Sequence, residues 1–384
     1  MHIAFLTPEY PNKQFGASAG LGTSMQNLAL SLVEKGIKVS VFVYGQKEKL
    51  VFHESGINFI GIKQRKYRFF GWYLYRKHLQ KVVNETIKKE RIDLVEAPDW
   101  TGITAFINLR SPLVIRLHGS DAYFCRLEGR KQKFKNRLFE KKALSDADHL
   151  ISVSEYAAKL TKEVFGLKNS IEVIPNSISL NEFSVSANVE LVQNRILYFG
   201  SLIRKKGVLE LAEIFNLIII QNNRAELLLI GKDVIDIFEK VSTLELFNKK
   251  LSPEASLSVK YIAEIPYQEI KKYIVSAQVV ALPSFAEALP MTWLEAMAME
   301  KPLVTSNIGW ANEIMIDGST GYTVSPLKHD IFANRVLDLL ANPEKAQKMG
   351  KKAREQIKNK FSTSIVVERN ISFYREVISK RKEY

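Results

Sequence analysis

Apolar residues fall along this chain in short β-branched runs separated by stretches of helical period. The first run, "HIAFL", stands almost at the N-terminus, and "KVSVFVYG", "RIDLVEAPD", "LVIRLHG", "ADHLISVS" and "IEVIPNS" follow, with helical patterns such as "SMQNLALSLVEKG" between them. Apolar runs of roughly four to eight residues bounded by turn residues read as strands buried on both faces, and their alternation with helices predicts a parallel sheet. The pattern starts afresh near residue 190 with "NRILYFGSL", a helix at "KGVLELAEIFNLII", then "AELLLIG", "LSVKYIAEI", "AQVVALPS", "KPLVTSN" and "TGYTVSP". Two α/β domains, each a doubly wound, Rossmann-like parallel sheet, are therefore expected. Their bounds are read as residues 1–180 and 194–362, joined by a linker at 181–193 where periodicity is lost and followed by a helix at 363–384. No repeat at a solenoid period and no low-complexity tract interrupts this plan.

Composition narrows the class. With 384 residues, 46% of them hydrophobic, the chain can bury two cores. A single cysteine, Cys125, excludes an intramolecular disulfide and fits a reducing compartment. The stretch "MHIAFLTPEY" lacks the basic start and long apolar centre of a signal peptide, and no apolar run approaches the roughly 20 residues of a spanning helix, so a cytoplasmic chain is expected.

Net charge is +14, and it is unevenly spread: residues 1–180 hold 28 basic against 17 acidic side chains, residues 181–384 hold 27 against 24. Two windows carry the whole excess of the first half. "KQRKYRFFGWYLYRK" (63–77) has six basic and no acidic residues, and "RLEGRKQKFKNRLFEKK" (126–142) has eight and two. Basic residues interleaved with aromatics suit an anionic membrane surface, a nucleic acid, or plain solvation. No zinc-ligand spacing, RNP-like motif or helix-turn-helix pattern supports nucleic acid, and the lipid surface is preferred, with Lys63, Arg65, Lys66, Arg68 and Trp72 as its candidates.

Candidate chemistry sits where predicted strands end. "SFAEALPMTWLEAMAMEKPLVTS" (284–306) reads as loop, helix and strand, with Pro290 at the helix start, Glu287 in the loop and Glu295 about one and a half turns inside. A helix start of this kind holds phosphate on its free N–H groups. Carboxylates beside it suit hydroxyl-rich groups such as sugars and riboses, although a solvated helix residue and an acidic loop residue are the plainer reading. The segment around Glu295 is apolar nearly all round, which favours a cleft. "YFGSLIRKKGVLEL" puts Arg204, Lys205 and Lys206 between a strand and a helix, a diphosphate position in an open sheet or a surface charge run. Gly16, Gly20 and Gly22 similarly separate the first strand from its helix, either to let backbone approach an anion or as a flexible turn.

Taken in order, the spacing of Glu287 and Glu295, "EAMAMEKPLV", "DGSTGYTVSP", "GSLIRKKG", "VIPNSIS" and "AGLG" resemble a retaining glycosyltransferase of family 4 with the GT-B fold, over residues 2 to 365. The resemblance implies that Glu295 binds the ribose of a nucleotide sugar, UDP- or GDP-linked, and that Glu287 contacts the donor sugar. It implies that Lys206, with Arg204 or Lys205 and the amides of Leu289 and Met291, neutralises the diphosphate, which Gly20 and Gly22 also approach. His118 of "RLHGSD" matches the family histidine that touches the donor sugar, and Asp121 is a candidate to orient it or to bind acceptor. The acceptor is expected to be a saccharide or lipid-linked saccharide held by the N-terminal domain, onto which the C-terminal helix returns through Phe373 and Tyr374. No metal or other cofactor is expected, since cations already face the diphosphate. Ser201 stands where many members have arginine, and Ala19-Gly20 where they have Gly-Gly. Two rival readings are a glycoside hydrolase using the same carboxylates and a non-catalytic nucleotide-sugar or membrane-binding protein.

Overall fold

The computed structural model describes residues 1–16, 18–168, 170–184 and 189–382. It divides into two units: Met1–Ser177 together with the C-terminal segment from Thr363, and Ile178–Ser362. The expected linker lies partly outside the described residues, at 185–188; just before them Phe183 is buried, and its carbonyl accepts from Arg354 within the second unit.

In the first unit the strands are β1 (His2–Thr7), β2 (Lys38–Gln46), β3 (Leu50–Glu54), β4 (Ile57–Lys63), β5 (Leu94–Pro98), β6 (Leu113–Leu117), β7 (His149–Ser152) and β8 (Glu172–Val173). They form one sheet in the order β3-β4-β2-β1-β5-β6-β7-β8, parallel throughout except for β3. Both faces are covered, because alternate residues of β1 enter different cores: Ala4 and Leu6 meet Leu79 and Val83 of the helix Gly71–Glu90, while Ile3 and Phe5 meet Leu28 and Leu32 of the helix Gly20–Glu34. That two-sided burial is why the runs read as continuously apolar. The hairpin β3/β4 is an addition to the expected elements. Its turn holds Ser55 and Gly56 at φ of 50° and 77°, the two positive dihedrals of a type I′ connection.

The second unit contains β9 (Arg195–Phe199), β10 (Glu226–Ile230), β11 (Val259–Ile262), β12 (Val279–Leu282), β13 (Leu303–Ser306) and β14 (Tyr322–Val324), all parallel in the order β11-β10-β9-β12-β13-β14. In each sheet the order reverses at the first strand of its unit, with β1 between β2 and β5 and β9 between β10 and β12. The crevice outside the carboxyl ends of strands at such a reversal is the usual ligand position of an open α/β sheet.

The C-terminal helix, Thr363–Lys382, closes the first unit through a buried polar cluster. Arg116 on β6 donates to both carboxylate oxygens of Glu96 on β5, at 2.7 and 3.0 Å, and to Asn370 at 2.6 Å, and the Tyr374 hydroxyl donates to Glu96 at 2.7 Å. Tyr374 is fully buried and Phe373 half-buried. Glu96→Ala leaves the Arg116 guanidinium buried without its counter-ion, and is expected to cost about 3–5 kcal/mol in urea unfolding; a loss under about 1 kcal/mol would show the cluster to be replaceable by water.

Candidate functional site

Three of the expected site segments stand at the two sheet reversals: the glycine loop follows β1, "GSLIRKKG" follows β9, and the loop with Glu287 follows β12. In the second unit the last two are stitched together. The Lys205 carbonyl accepts from the amides of Phe285 and Ala286, at 2.8 and 3.3 Å. Gly207, at φ 71°, packs so tightly that a Cβ there would lie 1.9 Å from the Pro283 carbonyl oxygen, which explains the glycine. A 3-10 turn over Arg204–Lys206 then carries Lys206 back against Gly200, and its ammonium pairs with the Glu287 carboxylate at 2.9 Å. Ser284 Oγ donates to the same carboxylate at 3.3 Å.

Glu295 lies about one turn into the helix Met291–Ala298 and is 3% exposed. Burial pushes its carboxyl up to about 7; the Tyr267 hydroxyl, which donates to Oε1 at 2.7 Å, and the charge of Lys206 pull the other way. Lys206 is thus the common neighbour of both glutamates. Pro290 precedes this helix without a side-chain cap, with Leu289 and Met291 buried on either side of it.

The structure commits Arg204 elsewhere. Its guanidinium makes a two-pronged pair with Asp236, at 2.7 and 3.1 Å, and Asp236 also accepts the amides of Phe238 and Glu239. Asp236 is completely buried, so this pair ties Arg204 to the chain beyond β10, whereas Lys206 faces Glu287.

In the first unit Gly20 opens the helix Gly20–Glu34, and its first-turn amides already hold an anion. The Glu9 carboxylate accepts from the backbone N–H of Ala19 at 3.0 Å and of Gly22 at 2.9 Å, standing in for the side-chain cap that Ala19 lacks. Glu9 was not anticipated, although an acidic residue one strand-end before a glycine loop is a signal for it.

His118 follows β6 and is partly exposed. Burial and the neighbouring Arg116 push its imidazole down to about 3, so it is neutral and offers one N–H donor and one acceptor. Its backbone N–H donates to Asp99 Oδ1 at 3.0 Å. Asp99 is buried and pushed up to about 7, by burial first and by the charge of Glu140 as well. Asp99 thus holds the main chain at His118. Asp121 begins the helix Asp121–Leu127, and its carboxylate accepts from Asn136 at 3.1 Å and faces Cys125 Sγ at 3.6 Å.

Asp146-Ala147-Asp148 is an Asp-x-Asp sequence, a pattern that in other sugar-transferring sites holds a metal ion, but it stands away from the reversal loops. Asp146 pairs with Lys142 and Asp148 accepts the Leu113 amide at 2.7 Å, at the amino end of the strands, the edge opposite the reversal loops.

The chain is similar to known proteins over most of its length. The model of "Glycosyltransferase Family 4" matches residues 18–182 and that of "Glycosyl transferases group 1" matches residues 181–356. The chain is 23% identical over 312 residues to a GDP-mannose-dependent phosphatidylinositol monomannoside mannosyltransferase of Corynebacterium glutamicum, covering 74% of this chain and 77% of that protein. Among solved structures, sucrose-phosphate synthase of Thermosynechococcus elongatus superposes with a TM-score of 0.80 at 20% identity, over 99% of each chain. The Anabaena protein HepE in complex with UDP-glucose gives 0.72 at 19% identity, over 99% of this chain and all of that one.

Proposed function

Since the chain belongs to the family 4 glycosyltransferases and has their GT-B fold, we propose that it moves a sugar from a UDP- or GDP-sugar to a saccharide or lipid-linked acceptor with retention of the anomeric configuration and without a metal ion. The observation that carries this reading is the Lys206–Glu287 ion pair beside buried Glu295, at the reversal of the second sheet. Lys206, Lys205 and the amides at Leu289 and Met291 neutralise the donor diphosphate; the Gly22 amide, given to Glu9, is not among these donors. Glu287 accepts hydroxyls of the donor sugar, Glu295 those of the ribose, and neutral His118 bonds the sugar near its reacting carbon; Asp121 is kept for the acceptor side.

In the transfer the bond from C1 to the diphosphate oxygen breaks as the acceptor oxygen bonds to C1. The acceptor proton passes to the departing diphosphate, whose charge the lysines hold; donors preplaced on developing charge are worth about 3–4 kcal/mol each. A hydrolase would need two carboxyls flanking one bond about 5–10 Å apart, whereas Glu287 is held on a cation suited to diphosphate.

EDTA-treated protein is expected to transfer sugar from a UDP- or GDP-sugar to nitrophenyl glycoside acceptors, giving a product with the anomeric configuration of the donor by NMR. Strict dependence on added Mn²⁺ or Mg²⁺ would overturn the metal-free part, and an inverted product the retaining part. Sugar released from a simple glycoside without nucleotide would return the hydrolase reading, and donor binding without turnover on any acceptor would return the non-catalytic one.

A further inference from the structure

The two basic windows, far apart in sequence, meet in the first unit. Trp72, in the first turn of the helix Gly71–Glu90, packs its ring 4.9 Å from that of Phe139 on the helix Phe134–Asp146. The Lys135 ammonium lies 6.0 Å over Trp72 and 5.6 Å over Phe139, tying the segments together. Trp72 is half-buried in this seam, a pillar of the face.

Around the seam the surface is cationic and aromatic at once. Lys63, Arg65, Lys66 and Arg68, in the segment before the helix Gly71–Glu90, are exposed, as are Lys131, Lys133 and Lys135; Lys63 and Arg65 line a groove with Glu85 and Glu90. The two acidic residues of the second window are turned inward: Glu128 pairs with Arg130, and fully buried Glu140 accepts the amides of Asp121 and Ala122. Phe69, Phe70 and Phe134 stand 68%, 72% and 81% exposed. Phe70 is held at φ 49°, a costly conformation for an aromatic residue, at the turn that presents the first two rings.

Three phenylalanines this exposed are an unfavourable surface in water, and the exposed cations that neighbour them in sequence have no carboxylate partner within their own windows. Among the described residues no helix is long and apolar enough to cross a membrane. We infer that this face docks peripherally on an anionic lipid bilayer, with Phe69, Phe70 and Phe134 entering the headgroup layer and the surrounding lysines and arginines meeting lipid phosphates. The cytoplasmic leaflet is the anionic surface that fits. The inference goes beyond the transfer chemistry and does not depend on it.

Vesicle sedimentation separates the contributions. Wild type is expected to sediment at low salt with vesicles of about 30% phosphatidylglycerol in phosphatidylcholine and not with phosphatidylcholine alone. Replacing Lys63, Arg65, Lys66 and Arg68 together by glutamine should weaken the partition several-hundred-fold, since each cation near such a surface is worth about fivefold. A second variant, Phe69→Ser with Phe70→Asn and Phe134→Ser, should still bind at low salt but lose the binding that survives about 0.5 M salt, where charge is screened within about 4 Å. Asparagine tolerates the left-handed conformation at position 70, so both variants should keep the wild-type melting temperature.

Absence of wild-type binding at low salt, equal binding to neutral vesicles, or unchanged binding of the glutamine variant would each overturn the inference. Capture of an RNA oligonucleotide under conditions where vesicles are ignored would transfer the face to nucleic acid. None of these outcomes bears on whether nucleotide sugars are used, which the transfer assay decides separately.

Discussion

Lys206→Ala is expected to lower kcat about 10²- to 10³-fold while changing thermal stability little. The ammonium is partly exposed and pairs with a Glu287 that is also solvent-accessible, so the pair itself contributes about 1 kcal/mol or less to folding. Its larger effect belongs to the reaction. As the bond to the diphosphate breaks, negative charge grows on oxygens that a cation placed beforehand stabilises more in the transition state than in the bound donor, and only such differential interactions raise kcat. KM should therefore move less than kcat. Lys206→Arg keeps the charge but spreads it over a planar fork, and should recover part of the rate.

Arg204→Ala provides the contrast. It leaves the carboxylate of Asp236 buried without its pair, so its main effect should be on unfolding, with kcat changed less than in Lys206→Ala. If instead Arg204→Ala abolishes transfer in a protein of wild-type stability, the ion pair with Asp236 opens to receive the diphosphate and the assignment of these cations must be exchanged.

How far the sequence alone carried depends on whether a feature is local. The two sheets were legible because strands buried on both faces are continuous apolar runs, and the runs alternate with helices of clear amphipathic period. Glu287, Glu295 and Lys206 were legible as candidates because each lies a few residues from a strand end. The hairpin Leu50–Lys63 was missed: "VFHESGINFIGIK" has an exposed edge strand with mixed polarity, and its turn is Ser-Gly, weaker than Asn-Gly.

Partners at long sequence separation were out of reach. Nothing local in "IPYQEI" marks Tyr267 as the donor to Glu295, twenty-eight residues on, and nothing in "EAPDW" ties Asp99 to the amide of His118. Arg204 and Lys205 stood as alternatives beside Lys206 because three basic residues in a row look alike in sequence; the bond from Arg204 to Asp236, thirty-two positions on, is visible only in the fold. The packing of Trp72 was equally out of reach, since its partner Phe139 lies sixty-seven positions away.

Glu295→Gln should weaken the affinity for the cognate nucleoside diphosphate about 10²-fold, as read from thermal shifts with UDP, GDP, ADP, CMP and dTDP. The proposal gives Glu295 two ribose hydroxyls to accept, and a hydrogen bond to a charged acceptor is worth about 1.5–3 kcal/mol. A nucleotide at about 100 times its dissociation constant adds about 2.7 kcal/mol to wild-type stability, a shift of several degrees, most of which the variant forfeits. The pH dependence gives a second reading. Burial has pushed the Glu295 carboxyl up to about 7, so without ligand it is part-protonated at neutrality, and hydroxyl donors favour the ionised form. Nucleotide affinity should therefore fall as pH drops through about 7 toward 5 in wild type, and glutamine, which does not titrate, should flatten that slope. The sign for folding alone is the opposite: a carboxyl whose folded pKa is raised contributes stability below its unfolded value that is lost as pH rises through about 7. Bound nucleotide should reduce that loss, because Tyr267 is then joined by ribose hydroxyls in satisfying the charge. If one nucleotide shifts wild type and its effect persists in Glu295→Gln with the same pH slope, the ribose is held elsewhere. If no nucleotide shifts either protein, the nucleotide-sugar reading itself loses its support in the unliganded enzyme.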